Sequence, residues 1–335
     1  MNANSLAKLE IPAPTGSQPK GSGHHSLGVL FKALGDPLRL QIVRLLKGDS
    51  LSVSELCEVL DMRQSALSHH LKVLVEVDLL VRRREGTAVF YRRGLATGPR
   101  APLVTTLFDN IDREPLNQSL TLGMRRVQQQ REQNSLAFFR THSARFREQQ
   151  ELIASWADYA QATLHLLDHC PDLPDLPIIE IGAGDGRLLP MLAERQSRVV
   201  ALDNAPEMLE DAKATAGHLD GVAFWLGDTS VLQEQRGAFS VAIMNMVLHH
   251  TPHPERVLAE AALGLAPGGA LIISELLAHD QAWAREHCGD LWLGFEPGQL
   301  TAWGQAAGLV NRTELFITQR NGFQIQVRLL QRELG

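Results

Sequence analysis

Residues 177–186 read Pro-Ile-Ile-Glu-Ile-Gly-Ala-Gly-Asp-Gly, a short β-branched run that carries one carboxylate, Glu180, and then three glycines at alternate positions. A strand entering such a turn can lay backbone N–H groups against a ligand, because Gly182, Gly184 and Gly186 accept positive φ angles and have no Cβ. The chemistry is the binding of a nucleotide-like cofactor. Asp203 ends a second apolar run, 198–203, about 17 residues past Gly186, where a carboxylate can accept both hydroxyls of a ribose. A nicotinamide dinucleotide satisfies these two features as well. A third run, 223–229, closes on Gly227-Asp228-Thr229, and its acid can take an adenine amino group.

For these residues to meet, the chain must form an α/β sheet with the turn and both acids at one edge. The runs at 177–181, 198–203, 223–229 and 239–246 supply four strands, and 271–274 a fifth after Pro267-Gly268-Gly269. The stretch 295–308 has helical spacing and stops at Gly308, and 312–317 and 323–329 flank a turn as antiparallel strands. The order of the glycine turn, the acid after strand two, the Gly-Asp after strand three and the Pro-Gly-Gly turn resembles the class I S-adenosylmethionine-dependent methyltransferases, over about 177–275. The resemblance implies a Rossmann-like seven-stranded sheet, with S-adenosylmethionine or S-adenosylhomocysteine as ligand. It puts Gly182, Ala183 and Gly184 near the methionine part and Asp203 at the ribose. Asp228 and Thr229 fall near adenine, and Asn245 and Met246 at the sulfonium end. Glu180, Asn204 and Gly227 are further cofactor positions, and Met208 packs either on adenine or in a helix core.

Methyl transfer is an in-line displacement that needs positioning, plus a base where the acceptor must lose a proton. His249 and His250, after strand four, are the candidate catalytic bases, although a histidine pair here also serves packing and capping. Arsenic as acceptor would need several thiolates, and only Cys288 and Cys170 could be near. The stretch 279–294 is placed either to build a substrate pocket or to pack as a lid.

The N-terminal part is organised differently. Residues 1–25 are rich in Pro, Gly and Ser and are expected to be a disordered arm. From Leu27 apolar residues recur at helical spacing, Asp36-Pro37 marks a helix start, and further starts at Ser52 or Ser54 and at Gln64 make a helix-turn-helix. In the third helix the leucines take one face and leave Gln64, Ser65, Ser68, His69 and Lys72 for a DNA major groove or for solvent. Arg82, Arg83, Arg84 and Arg92 lie on a hairpin that reads as a wing for phosphate contacts. The stretch 34–40, the run 64–74 and this Arg-rich wing together resemble the ArsR family of bacterial winged-helix repressors, across 27–93. That resemblance implies a homodimer on double-stranded, pseudo-palindromic operator DNA. Arg63 stands where the family caps the recognition helix with serine, and it reads as a contact to backbone phosphate. Ser52 and Ser54 stand where metal-sensing members carry Cys-x-Cys, so no metal site is expected there.

The chain has 335 residues, enough for about two domains, with 44% hydrophobic and 21% charged residues and a net charge of -6. The charge is uneven: 26–97 carries roughly +3 and the remainder roughly -9. No run crosses a bilayer and no secretory signal is legible, which points to the cytoplasm. The expected fold class is α/β, divided into an arm (1–25), a winged helix-turn-helix (26–97), a linker or helical region (98–134) and a cofactor-binding methyltransferase-like domain (135–335). Two functions lead among the three compatible with this division. One is a transcriptional regulator whose operator affinity reports the cofactor pool, and the other is an active small-molecule methyltransferase carrying a DNA-binding module. A nicotinamide-dependent oxidoreductase with a winged-helix appendage is the third.

Overall fold

The computed structural model describes residues 23–47, 50–85, 88–94, 98–281 and 283–334. The expected arm lies outside the described residues up to residue 22, and Gly23 already opens the first helix, α1 (Gly23–Leu34). Asp36 accepts the Arg39 N–H at 3.1 Å and Pro37 takes the first helical position, so α2 (Pro37–Leu45) begins sharply. After β1 (Leu51–Ser52), Ser52 and Glu55 cap one another at the start of α3 (Val53–Leu60), which settles the start at Ser52 rather than Ser54. Asp61, at φ 50°, turns the chain left-handed toward α4 (Gln64–Glu76), the second helix of the motif. The hairpin β2 (Leu80–Glu85) and β3 (Ala88–Arg93) follows, with β1 paired on β3; residues 86–87 of the tip lie outside the described residues.

Leu30, Ile42, Leu56, Leu67, Leu71 and Leu74 are buried together as the core of this unit. Two further helices, α5 (Ala101–Arg113) and the first third of α6 (Gln118–Ile153), belong to it, since Leu120 and Val127 enter the same core. Arg93 ties the wing to α5 by donating to Asp112 and lies over the Phe108 ring. The 36 residues of α6 run without a break through residue 134, where the sequence suggested a passage from linker to cofactor unit.

Beyond α7 (Trp156–Asp168) the chain alternates strand and helix: β4 (Ile178–Ile181), α8 (Leu189–Ala193), β5 (Val199–Asp203), α9 (Pro206–Ala216), β6 (Val222–Leu226), β7 (Phe239–Asn245), α10 (Pro254–Gly264) and β8 (Leu265–Leu276). Then come α11 (Trp283–Cys288), α12 (Pro297–Ala306), β9 (Leu309–Thr318) and β10 (Gln324–Arg332). The seven strands lie in the order β6-β5-β4-β7-β8-β10-β9, parallel except for the β10 pairings. This is the Rossmann-like methyltransferase sheet that the motifs implied. Its central strands are buried on both faces, as their largely apolar runs require. The strand order reverses between β4 and β7, and in such a sheet the crevice past the carboxyl ends at that point receives ligands.

β8 begins at Leu265, not at residue 271. Leu265 pairs with Phe239 and Ala270 with Val241, so Pro267-Gly268-Gly269 is an irregularity inside the strand rather than a turn before it.

Candidate functional site

A cleft of about 400 Å³ opens at that reversal. Every cofactor position singled out in the sequence, from Glu180 to Met246, lines it. The three glycines of the turn all have positive φ, but only two are needed for packing. A Cβ at Gly182 would stand 2.6 Å from Val247 Cγ2, and one at Gly186 would stand 2.8 Å from Ala212 Cα. At Gly184 the nearest atom is Met208 Cε at 3.7 Å, so its missing side chain leaves room on the cleft side. Met208 is a buried residue of α9 and also forms part of the cleft wall.

Asp203 ends β5 beneath the turn. Its Oδ2 accepts the Gly184 N–H at 3.0 Å and its Oδ1 the Ala205 N–H at 2.9 Å, which leaves each oxygen a second lone pair. Burial raises its carboxyl above the ordinary range, and the amides of Ala205, Gly184 and Asn204 oppose this. Glu180 is 4% exposed, and its Oε2 lacks a hydrogen-bond partner among the described atoms. Burial first, then the nearby carboxylates of Asp185 and Asp203, raises its carboxyl well above the usual value. An unpaired acidic oxygen beside an open glycine backbone suits a ligand ammonium, so these residues fit an amino-acid-bearing nucleoside.

The titration of Glu180 has a stability consequence. Between the unfolded value of 4.5 and the higher native value, folding takes up a proton, so stability falls as pH rises through that window. Glu180→Gln is therefore expected to be more stable than the parent at pH 8 and equal to it near pH 4, about the unfolded value. Urea denaturation at both pH values measures this, and a gain of equal size at both would show that burial of the charge is not its cause.

Asp228 is exposed and caps the 3-10 turn Thr229–Gln233 by accepting the Ser230 N–H at 2.9 Å. Thr229 is buried and donates to Glu260 at 2.5 Å. Asn245 accepts from Thr163 at 2.8 Å. Met246 has φ 56° while 6% exposed, a conformation that a side chain rarely adopts, and its N–H donates to Ser274 O at 2.8 Å.

The histidine pair divides. His249 is fully buried and does not line the cleft; its Nδ1 meets Glu275 Oε1, and burial lowers it to about 3 while raising Glu275 to about 8. The expectation that His249 could act as base on a cleft ligand is corrected, because its ring points into the protein behind the cleft wall. His250 does line the cleft, with Nε2 3.2 Å from Gln150 Nε2, and burial followed by the neighbouring His249 keeps it neutral. In 279–294, Cys288, Asp290 and Leu293 are buried, the Leu291 and Trp292 N–H groups both donate to His249 O, and none of the described residues of the stretch lines the cleft. It packs behind the pair.

Sequence reasoning assigned no cofactor role to three residues that reach the cleft from other elements: Trp156 of α7, read as core on a helix that could cover a ligand, Tyr159 of the same helix, and Arg187 stacked 4.9 Å above Trp156. It also missed the rim at Thr251, His253 and Arg256. Proximity in chain order could not signal the α7 pair, which lies about twenty residues before the glycine turn.

In the N-terminal unit Arg63, Gln64, Ser65, Ser68, His69 and Lys72 are all exposed on α4 and its cap. Arg63 has extended backbone and makes no side-chain cap. The wing arginines separate. Arg82 and Arg84 are exposed, whereas Arg83 donates to His279 O at 2.6 Å and Leu293 O at 2.5 Å in the other unit. Arg92 is half-buried, with Glu296 nearby opposing the lowering that burial causes. Strand register explains this: Arg83 pairs with Phe90 and Arg92 with Val81, so the two share one face, and Arg82 and Arg84 lie on the opposite one. In this arrangement Arg83 is engaged by the other unit and Arg92 is half-buried, so neither is the exposed wing cation expected from the sequence.

Residues 34–83 match a family described as a helix-turn-helix domain, and 178–269 one described as a methyltransferase domain. An uncharacterized 37.1 kDa protein in transposon TN4556 of Streptomyces fradiae is 34% identical over 113 residues, 33% of each chain. The ubiquinone biosynthesis O-methyltransferase of Xanthomonas euvesicatoria pv. vesicatoria is 28% identical over 177 residues, 46% of this chain and 74% of that one. The match to the transposon protein thus spans about a third of its length. Among solved structures, the Burkholderia thailandensis 1,6-didemethyltoxoflavin-N1-methyltransferase with S-adenosylhomocysteine superposes with TM-score 0.49 at 20% identity, over 66% of this chain and 92% of that one. The N-methyltransferase NodS of Bradyrhizobium japonicum does so with TM-score 0.44 at 16% identity, over 56% and 97%. The chain carries a helix-turn-helix DNA-binding domain followed by a methyltransferase domain of the kind that binds S-adenosylmethionine or S-adenosylhomocysteine. Among the described residues no helix is long and apolar enough to cross a membrane.

Proposed function

We propose that the protein is an ArsR-type transcriptional regulator, active as a homodimer on operator DNA, whose methyltransferase domain reads S-adenosylmethionine or S-adenosylhomocysteine as its effector. The observation that carries this reading is the Arg83 guanidinium, which leaves the DNA-facing wing to grip two backbone carbonyls of the cofactor domain. The cleft rim also lies within the field of charges of the DNA-binding unit. Glu255, raised by burial, lies within the field of Lys47, Asp112 and Arg93, and His253, lowered to about 4 by burial, lies near Arg131. Arg131 in turn donates to Glu55 at 2.7 Å, the acid of the α3 capping box, one helix before the recognition helix. A ligand that alters the rim has a short mechanical route to that helix. Coupling requires the DNA-competent and docked states to bind the ligand with different affinity.

Within the cleft, Glu180 and the backbone at 182–184 hold the methionine end, Asp203 and Asn204 the ribose, and Gly227, Asp228, Thr229 and Met208 the adenine side. When bound, S-adenosylmethionine supplies an electrophilic methyl group, and Asn245 and Met246 border the place where it is presented. Dimerisation is assigned to α1 and α5, where Val29 and Phe31 are exposed and Leu103, Leu107 and Phe108 half-buried.

The likeness to O-methyltransferases supports a second reading, turnover on a hydroxyl acceptor with His250 as the available base. A gel shift on the protein's own upstream DNA at fixed salt, titrated separately with each cofactor form, separates the two. The regulator is expected to change operator affinity about 5-fold or more with one form, a coupling of about 1 kcal/mol. Arg83→Ala is expected to reduce that ligand effect below about twofold while the cofactor still binds. Methylation of an acceptor with no ligand effect on DNA binding would sink the regulator.

A further inference from the structure

His249, His250 and Asp290 bring one ligating atom each to within 4.8 Å of one another, at 0%, 8% and 2% exposure. The imidazoles come from the 3-10 turn Leu248–His250 after β7, and the carboxylate comes from the stretch after α11. His249 Nε2 stands 3.8 Å from Asp290 Oδ1, and His250 Nδ1 stands 3.9 Å from the same oxygen. Both gaps are too long for hydrogen bonds. His249 Nε2 is completely buried and has no hydrogen-bond partner among the described atoms.

The other side of His249 is held firmly. Its Nδ1 meets Glu275 Oε1, while Glu275 also accepts the N–H groups of His249 and Leu276 at 3.1 Å each. A carboxylate on one ring nitrogen fixes the imidazole orientation and raises the basicity of the other, the outer arrangement found around metal-bound histidines.

We propose that His249 Nε2, His250 Nδ1 and an Asp290 oxygen form a site for one divalent first-row cation of the zinc, cobalt or iron class, with Glu275 as its outer carboxylate. Two imidazoles and one carboxylate suit these borderline ions, whereas magnesium and calcium prefer all-oxygen sets. Ligand distances of about 2.0–2.2 Å place such an ion between donors spaced as these are, after a contraction of a few tenths of an ångström. Uptake takes the Nε2 lone pair of a neutral His249 whose Nδ1–H faces Glu275, and His250 Nδ1 gives up the proton it directs at Gly289 O at 3.4 Å, which moves to Nε2 beside Gln150 or is released. His250 lines the cofactor cleft, so the ion has a route of entry and a side from which a water or ligand can complete its coordination. The ion ties the turn after β7 to Asp290, three residues before the Leu293 carbonyl that Arg83 grips. The site rests on neither functional reading.

The test titrates chelator-stripped full-length protein with cobalt(II) chloride and follows the visible ligand-field bands. Bands that saturate near about one equivalent are expected, displaced by zinc and lost in Asp290→Asn, while S-adenosylhomocysteine binding persists in the variant. Absence of bands, or bands undiminished in Asp290→Asn, overturns the proposal. If Asp290→Asn fails to fold, X-ray absorption of the zinc-loaded parent decides. Two imidazoles with oxygen in the first shell support the site, and sulfur or fewer than two imidazoles overturns it.

Discussion

Asp203→Ala is expected to weaken S-adenosylhomocysteine binding about 100-fold or more, since hydrogen bonds to a charged group are worth about 1.5–3 kcal/mol each and, in the proposed binding mode, two ribose hydroxyls lose their acceptor. A second loss adds to the first. The same carboxylate holds the Gly184 and Ala205 N–H groups, so its removal strands one amide of the glycine turn and one at the start of α9. Unfolding stability is expected to fall as well, by about 1–3 kcal/mol, the penalty for leaving a buried polar group unsatisfied. Asp203→Asn retains one acceptor oxygen and should lie between the two. Calorimetric titration of both variants checks the order parent, Asn, Ala; an alanine variant that binds within threefold of the parent rules out Asp203 as the ribose acceptor.

Arg63→Asp is expected to move stability and DNA binding in opposite directions. Arg63 occupies the N-cap of α4 with extended backbone and offers no acceptor for the first helical amides. Aspartate there supplies one and favours the positive end of the helix dipole, a gain of about 0.5–2 kcal/mol. In the proposed complex with DNA it also turns a cation into an anion beside the phosphate backbone. Operator affinity should fall by roughly 10- to 100-fold, and the slope of log affinity against log salt should become shallower by about one contact. A melting curve and a salt series on the same preparation read both effects. Higher stability with unchanged operator affinity would mean that Arg63 is a poor cap with no role at DNA.

Both residues were legible in the sequence because their signals are local. Asp203 is marked by the end of an apolar run and by its distance from the glycine turn, and Arg63 by the absence of a capping side chain at a helix start. The glycines were legible for the same reason, although only the packing of Val247 and Ala212 separates Gly182 and Gly186, which are sterically required, from Gly184, which leaves space. The wing arginines were half legible. Alternation along a strand puts Arg83 on the face opposite to Arg82 and Arg84 whatever lies nearby. That this face meets His279 and Leu293, some 200 residues away, depends on how the two units dock.

The histidine pair illustrates the limit most clearly. Adjacent residues in a 3-10 turn point in different directions, so one ring enters the protein against Glu275 and the other borders the cleft. No periodicity predicts which. By itself the sequence determined most of the strands, the glycine turn, the acids at the strand ends and the capped helices, because hydrophobic period, backbone freedom and caps act over a few neighbouring residues; both domain types followed from the family resemblance that these motifs carry. The tertiary structure alone decided that α6 joins the two cores, that the wing grips the cofactor domain and that His249, His250 and Asp290 converge. Those contacts come from side-chain packing between elements distant in sequence, and their partners leave no mark on each other's local pattern.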